Sequence, residues 1–153
     1  MIEKIKIENK KYAAGVLPVC LSTGRILLGK RGPKLEKEPN KWCDFGGKAN
    51  NYETPYETAI REFYEETGKI VPIKIIPSFV NTTGEMDYYN FIGIVYEEFI
   101  PLVNVQTVDY EIEVSDYKWM TVEEFFKFPS SKLHWGLDLL RKKAKEQIKG
   151  LFN

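Results

Sequence analysis

From residue 46 the chain reads Gly46-Gly47-Lys48-Ala49-Asn50-Asn51-Tyr52-Glu53-Thr54-Pro55-Tyr56-Glu57-Thr58-Ala59-Ile60-Arg61-Glu62-Phe63-Tyr64-Glu65-Glu66-Thr67-Gly68. Residues 54–68 predict a helix from both ends inward. Thr54 and Glu57 have capping-box spacing, Pro55 suits the first helical position, and Gly68 suits the residue just past the end. Ala59, Ile60, Phe63 and Thr67 recur at helical spacing and predict the buried stripe. Glu62, Glu65 and Glu66 stand at i, i+3 and i+4, so their side chains are neighbours on the surface. Adjacent anions repel, and the last turn of a helix disfavours negative charge. A hard divalent cation turns that cost into a binding site, because Mg²⁺ takes carboxylate oxygens and keeps waters for a phosphate. The alternative is a solvated acidic face steadied by Arg61, one helical turn from both Glu57 and Glu65.

Strands dominate what lies around this segment. Tyr12-Ala13-Ala14-Gly15-Val16-Leu17-Pro18-Val19-Cys20 is short, apolar and bounded by turn residues, as a buried strand is. Ser22-Thr23-Gly24 reads as a turn, and residues 25–30 as the returning strand. Pro18 belongs at an edge or a bulge, since it has no N–H for a ladder. Residues 31–41 form a polar loop with two prolines, of a length that is often functional. Downstream, residues 70–80 and 88–96 read as strands on either side of Thr83-Gly84-Glu85, and residues 108–120 as an acid-rich strand. Thr121 and Glu124 open a short helix, and Leu133, Leu137, Leu140, Ala144 and Ile148 run along a longer one.

Composition sets the class. The 153 residues are 43% hydrophobic and 29% charged, which excludes a disordered or collagen-like chain and predicts one domain over residues 1–153. Lys and Arg total 22 and Asp and Glu total 22, so no overall charge grips nucleic acid or an anionic membrane. No apolar run approaches the roughly 18 residues of a membrane span. Charged residues alternate with Ile through residues 2–8, unlike a secretory signal. Cys20 and Cys43 are too few for a disulfide scaffold. The expectation is a soluble, cytoplasmic protein with its oligomeric state open.

Read as a string, Gly47, five residues, Glu53, seven residues, Arg61-Glu62-Phe63, Tyr64, Glu65-Glu66, Thr67, Gly68 resembles the Nudix box, G-x5-E-x7-R-E-U-x-E-E-x-G-U, where U is apolar. Eight of the nine defined positions match across residues 47–69; Lys69 stands at the last apolar one, with Ile70 after it. Trp42-Cys43-Asp44-Phe45-Gly46-Gly47-Lys48 resembles the family's W-x-x-P-G-G-K, with Phe45 in place of Pro. Glu113, Trp119, Glu123 and Glu124 resemble the acid, Trp and acidic helix that follow. The likeness spans roughly residues 10–127.

The resemblance implies an α/β/α sandwich around a mixed sheet and hydrolysis of a diphosphate linked to another moiety. It implies that Glu62, Glu65 and Glu66 hold Mg²⁺ or Mn²⁺, that Glu53 pairs with Arg61 and also reaches a metal, and that Gly47 and Gly68 shape the backbone. A glutamate takes the proton of the attacking water in such enzymes; Glu62, Glu65, Glu66 and Glu113 are the candidates here. Glu111, Glu113 and Asp116 read equally as a polar strand edge. Arg31 and Lys48 are candidates to guide phosphates, and Tyr89 and Trp42 to contact a base. His134, the only histidine, reads as a capping or surface residue, and Lys132, Arg141, Lys142, Lys143, Lys145 and Lys149 make the last helix basic, which suits a helix C-terminus. A nucleoside triphosphate is the first substrate expected. Dinucleoside polyphosphates, ADP-ribose and capped or 5′-triphosphate RNA are alternatives, as is a nucleotide-sensing module without catalysis.

Overall fold

In the computed structural model, which describes residues 11–107 and 111–153, β1 (Tyr12–Cys20) is buried along its whole length. A strand with only small and apolar side chains forms there because both of its faces are covered. On one edge it pairs in parallel with β6 (Asp87–Val95), from Tyr12 opposite Asp87 to Cys20 opposite Val95. Its other edge is shared. β4 (Phe45–Lys48) runs antiparallel to Ala13–Val16, and β2 (Arg25–Arg31) antiparallel to Val19 and Cys20. Pro18 lies in the break between those partners, where a missing N–H leaves no ladder bond unmade. It therefore sits in a central strand rather than at an edge or a bulge.

β3 (Trp42–Cys43) and β7 (Val114–Thr121) pair antiparallel with β2, and β5 (Ile73–Asn81) with β6. The result is a mixed seven-stranded sheet ordered β3-β2-β1-β6-β5, with β4 on β1 and β7 on β2. Successive strand side chains point to opposite faces, and the two faces carry separate cores. Val16, Leu27, Phe45 and Phe91 pack with Ala59 and Phe63 of α1 (Pro55–Thr67). Leu17, Val19, Ile26, Leu28, Ile92 and Met120 pack on the far face with Leu133, Leu137, Leu140, Ala144 and Ile148. This is the expected α/β/α sandwich.

α1 has the predicted capping box at Thr54 and Glu57, Pro at its start, and Gly68 in the left-handed conformation at φ 68°. A side chain at Gly68 would also strike Leu102. The buried stripe differs in one member. Ile60 is 40% exposed, while Thr58 is buried and donates to Glu53 at 2.9 Å. Thr121 caps α2 (Val122–Lys127) in the same way. The last expected helix divides into α3 (Trp135–Lys143) and α4 (Lys145–Gly150), with Ala144 at φ −105° and ψ 16° between them. Its apolar residues stay buried across that break. Arg141, one of the basic residues of this stretch, is 7% exposed and donates to the carbonyls of Phe125 and Phe128.

β7 begins at Val114, so Glu111 and Glu113 precede the strand, and residues 108–110 and 1–10 lie outside the described ones. Among the described residues no helix is long and apolar enough to cross a membrane. Thr54→Ala removes the hydroxyl that accepts from the Glu57 N–H at 3.2 Å. It is expected to lower stability by about 1 kcal/mol in urea unfolding, and an unchanged midpoint would contradict the cap's role.

Candidate active site

Arg61 joins the loop before α1 to the helix itself. Its Nε donates to Glu53 Oε2 at 2.7 Å, and one Nη donates to Glu53 Oε1 at 3.0 Å and to the Lys48 carbonyl at 2.8 Å. The other Nη reaches Glu62 at 2.9 Å and Glu65 at 3.0 Å. Glu53 also accepts from the Asn50 N–H at 2.8 Å and from Thr58, and the Tyr12 hydroxyl donates to its carbonyl. These donors favour the carboxylate, Arg61 foremost, and bring the Glu53 pKa down to about 2. Arg61 is correspondingly raised. Glu53 is thus committed to holding the loop, and it does not line the cavity described below.

The three helix carboxylates have different surroundings. Glu65 is turned outward, its side chain 53% exposed and paired with Arg61. Glu62 is largely buried, and burial raises its pKa against the pull of Arg61. An added Cβ at Gly47 would lie 2.6 Å from the Glu62 carboxyl carbon, so only glycine lets the backbone pass there. Glu66 is the exceptional one. Its Oε1 is buried without a hydrogen-bond partner. Its pKa is pushed well up by burial first, and then by the charges of Glu62, Glu113 and Asp44.

Among the described residues no three His, Cys, Asp or Glu side chains are gathered as a ready metal cage. The fit to a hard divalent cation rests on three other features. A buried carboxylate oxygen is unsatisfied, the Gly47 backbone gives room beside Glu62, and every donor concerned is a carboxylate oxygen.

Glu66 forms part of the wall of a cavity of about 840 Å³. Arg31, Lys48 and Glu113 line it as well. Arg31 is steadied there by donating to the carbonyls of Lys37 and Glu38. Tyr89 and Trp42 do not line it. Tyr89 packs edge-on against Tyr12 at 5.6 Å, and Trp42 packs on the core beneath α3 and α4. The neighbouring Tyr88 occupies the place expected of Tyr89. Its hydroxyl donates to Asp44 Oδ2 at 2.9 Å and fills the space that a Cβ on Gly15 or Gly46 would need. The Cys43 thiol donates to Asp44 Oδ1 at 3.0 Å. Burial raises both the Tyr88 and Cys43 pKa values, so both remain protonated donors to Asp44.

Among the lining residues that the sequence reading did not assign to the site are Asp44, Asn81, Tyr88, Trp135 and His134. His134 carried a local signal. It caps α3 as expected, its Nδ1 accepting from the Gly136 N–H at 2.9 Å, but it is also largely buried and faces the cavity. Burial lowers its pKa, which keeps the ring neutral near pH 7.

The model of the family described as NUDIX domain matches residues 9–140. Among solved structures, the MutT protein of Methanosarcina mazei is 22% identical, with a TM-score of 0.66 over 91% of this chain and 97% of its own. A mutT/nudix family protein of Listeria innocua is 23% identical, with a TM-score of 0.65 over 92% and 95%. The NUDIX domain of Shewanella oneidensis NrtR, solved as a complex with ADP ribose, is 16% identical, with a TM-score of 0.64 over 94% and 92%. At these identities the likeness shows a shared fold.

Arg61→Met leaves the Glu53 carboxylate, 17% exposed, without its main partner. A loss of about 3 kcal/mol is expected near neutral pH. Because the folded-state pKa of Glu53 lies below its ordinary 4.5, its contribution is present above pH 4.5 and is lost as pH falls toward 2. Urea titrations at a series of pH values should therefore show the two proteins converging over that window. A gap that stays constant down to pH 2 would contradict the pairing.

Proposed function

The chain belongs to the NUDIX domain family, a family of pyrophosphohydrolases, and from that premise we propose that it hydrolyses a nucleoside-diphosphate-linked substrate with the help of Mg²⁺ or Mn²⁺, a nucleoside triphosphate first. The observation that carries this reading is the unsatisfied carboxylate oxygen of Glu66 in the wall of the large cavity. A buried acid without a partner costs the fold stability, and a cation that Glu66 helps to hold offsets that cost. Glu62, one turn earlier, and Glu65, now paired with Arg61, would hold the cation together with Glu66. When bound, the ion neutralises charge on phosphate oxygens and lowers the pKa of a water.

The remaining tasks fall to this chain's own side chains. Arg61 keeps α1 and the Gly47 loop in register through Glu53 and the Lys48 carbonyl. Arg31 and Lys48, both on the cavity wall, supply positive charge for the phosphates. Glu113, an exposed carboxylate on that wall, accepts the proton of the attacking water. Both cysteines are free, which supports a cytoplasmic setting. The single domain carries the whole site, with a small nucleotide as its partner.

The test is release of phosphate or pyrophosphate from nucleoside triphosphates, dinucleoside polyphosphates, ADP-ribose and capped RNA, with and without Mg²⁺. ADP-ribose is included because the Shewanella oneidensis domain was solved with it. Metal-dependent turnover is expected, falling roughly 100-fold or more in Glu66→Gln and about 100-fold in Glu113→Gln. Turnover that persists in Glu66→Gln, or without metal, would refute the assignment. No turnover of any substrate, with nucleotide still raising Tm, would leave a sensing module.

A further inference from the structure

The cavity, about 840 Å³, is larger than a diphosphate needs, and one part of its wall is built differently from that around Glu66. There the β5–β6 turn faces the start of α3. Trp135 is 46% exposed although it lines the cavity, and its indole packs against Gly84, where an added Cβ would lie 3.1 Å from the ring. The His134 ring stacks beside it with centroids 5.9 Å apart and planes 26° apart. This aromatic wall is held from behind. The His134 N–H donates to the Trp42 carbonyl at 2.8 Å, and its Nδ1 accepts from Gly136.

Asn81 stands next to this wall. It is 4% exposed, lines the cavity, and its Nδ2 lies 4.0 Å from the position of a Cβ on Gly136. Its Oδ1 accepts twice from Thr83, from the N–H at 2.9 Å and from the hydroxyl at 2.6 Å. Both lone-pair directions of the amide oxygen are therefore taken, and what remains is an NH2 that can only donate.

The geometry points to Trp135, backed by His134, as the stacking platform for the base of the nucleotide, with Asn81 as a donor to an acceptor on the base edge, a carbonyl oxygen or a ring nitrogen. An asparagine free to accept as well as donate matches adenine's amino and ring nitrogen together. The two hydrogen bonds from Thr83 remove that two-point match here. Flat π-faces give affinity for any base, and the amide NH2 adds one hydrogen bond to its acceptor edge. The inference rests on the nucleotide reading above, and it assigns the residues that hold the base.

The experiment compares guanosine, uridine and adenosine triphosphates with base-free ribose 5-triphosphate, by calorimetric binding and by separate kcat and KM. Trp135→Ala is expected to weaken the guanosine, uridine and adenosine nucleotides roughly 5- to 150-fold, seen in KM, and to leave ribose triphosphate unchanged. Trp135→Phe should restore most of the loss. Asn81→Leu removes the donor while keeping the branched shape of the side chain, so it should weaken the base-bearing triphosphates and leave ribose triphosphate unchanged. Equal binding of base-bearing and base-free triphosphates by the wild type, or an unchanged KM in Trp135→Ala, would overturn the platform while leaving hydrolysis intact. Base-dependent binding without cleavage would overturn hydrolysis and leave the platform standing.

Discussion

The pairing of Arg61 with Glu53 is the constraint on which the rest of the site depends. Two charged groups mostly withdrawn from water are tolerable only because nearly every donor and acceptor they carry is used. That network fixes α1 relative to β4 and the loop between them. Once those are fixed, Glu62 must sit against a bare backbone at Gly47, and Glu66 must enter the cavity wall. The same guanidinium holds Glu62 and Glu65 while leaving Glu66 alone. One cation is thus spread over three acids, and the fourth is left strained in its charged form.

This arrangement places instability where chemistry is wanted. Glu66 gains nothing from the surrounding protein apart from a bond from the Gly46 backbone, and it feels Glu62, Glu113 and Asp44 as like charges. Asp44, by contrast, accepts hydrogen bonds from Tyr88 and Cys43. Two acids in one cavity wall are therefore treated in opposite ways, one satisfied by protein donors and one reserved. The sheet makes this affordable, since two separate apolar cores on its faces hold the frame while the site stays polar.

Spacing made the helix legible in advance, because its capping box, its terminal glycine and its i, i+3, i+4 acids are all local relations. The aromatic residues were a different matter. Tyr88 and Tyr89 are adjacent on β6, a strand covered on both faces, so no alternation of polar and apolar residues marks which one faces the cavity. The reading favoured Tyr89, and the packing chose Tyr88. The single helix expected from Leu133 to Ile148 divides at Ala144, yet its apolar period survives because both pieces cover the same face of the sheet. Ile60 has the right spacing for the stripe but lies at its rim, where Thr58 is drawn in by Glu53.

What the sequence by itself determined was whatever a short stretch of backbone imposes: the ends of α1, the acids sharing its surface, and the glycines where no side chain fits. Sequence order carries such relations directly, since a helix converts spacing into proximity. Only the tertiary structure decided that Asp44, Asn81, Tyr88, His134 and Trp135 share one wall with Glu66. They come from β5, β6, the start of α3 and the loop before β4, and no spacing rule links them. The parallel pairing of β1 with β6 and the packing of α3 over the sheet bring them together. Burial then sets which of them donate, which accept, and which one is left without a partner.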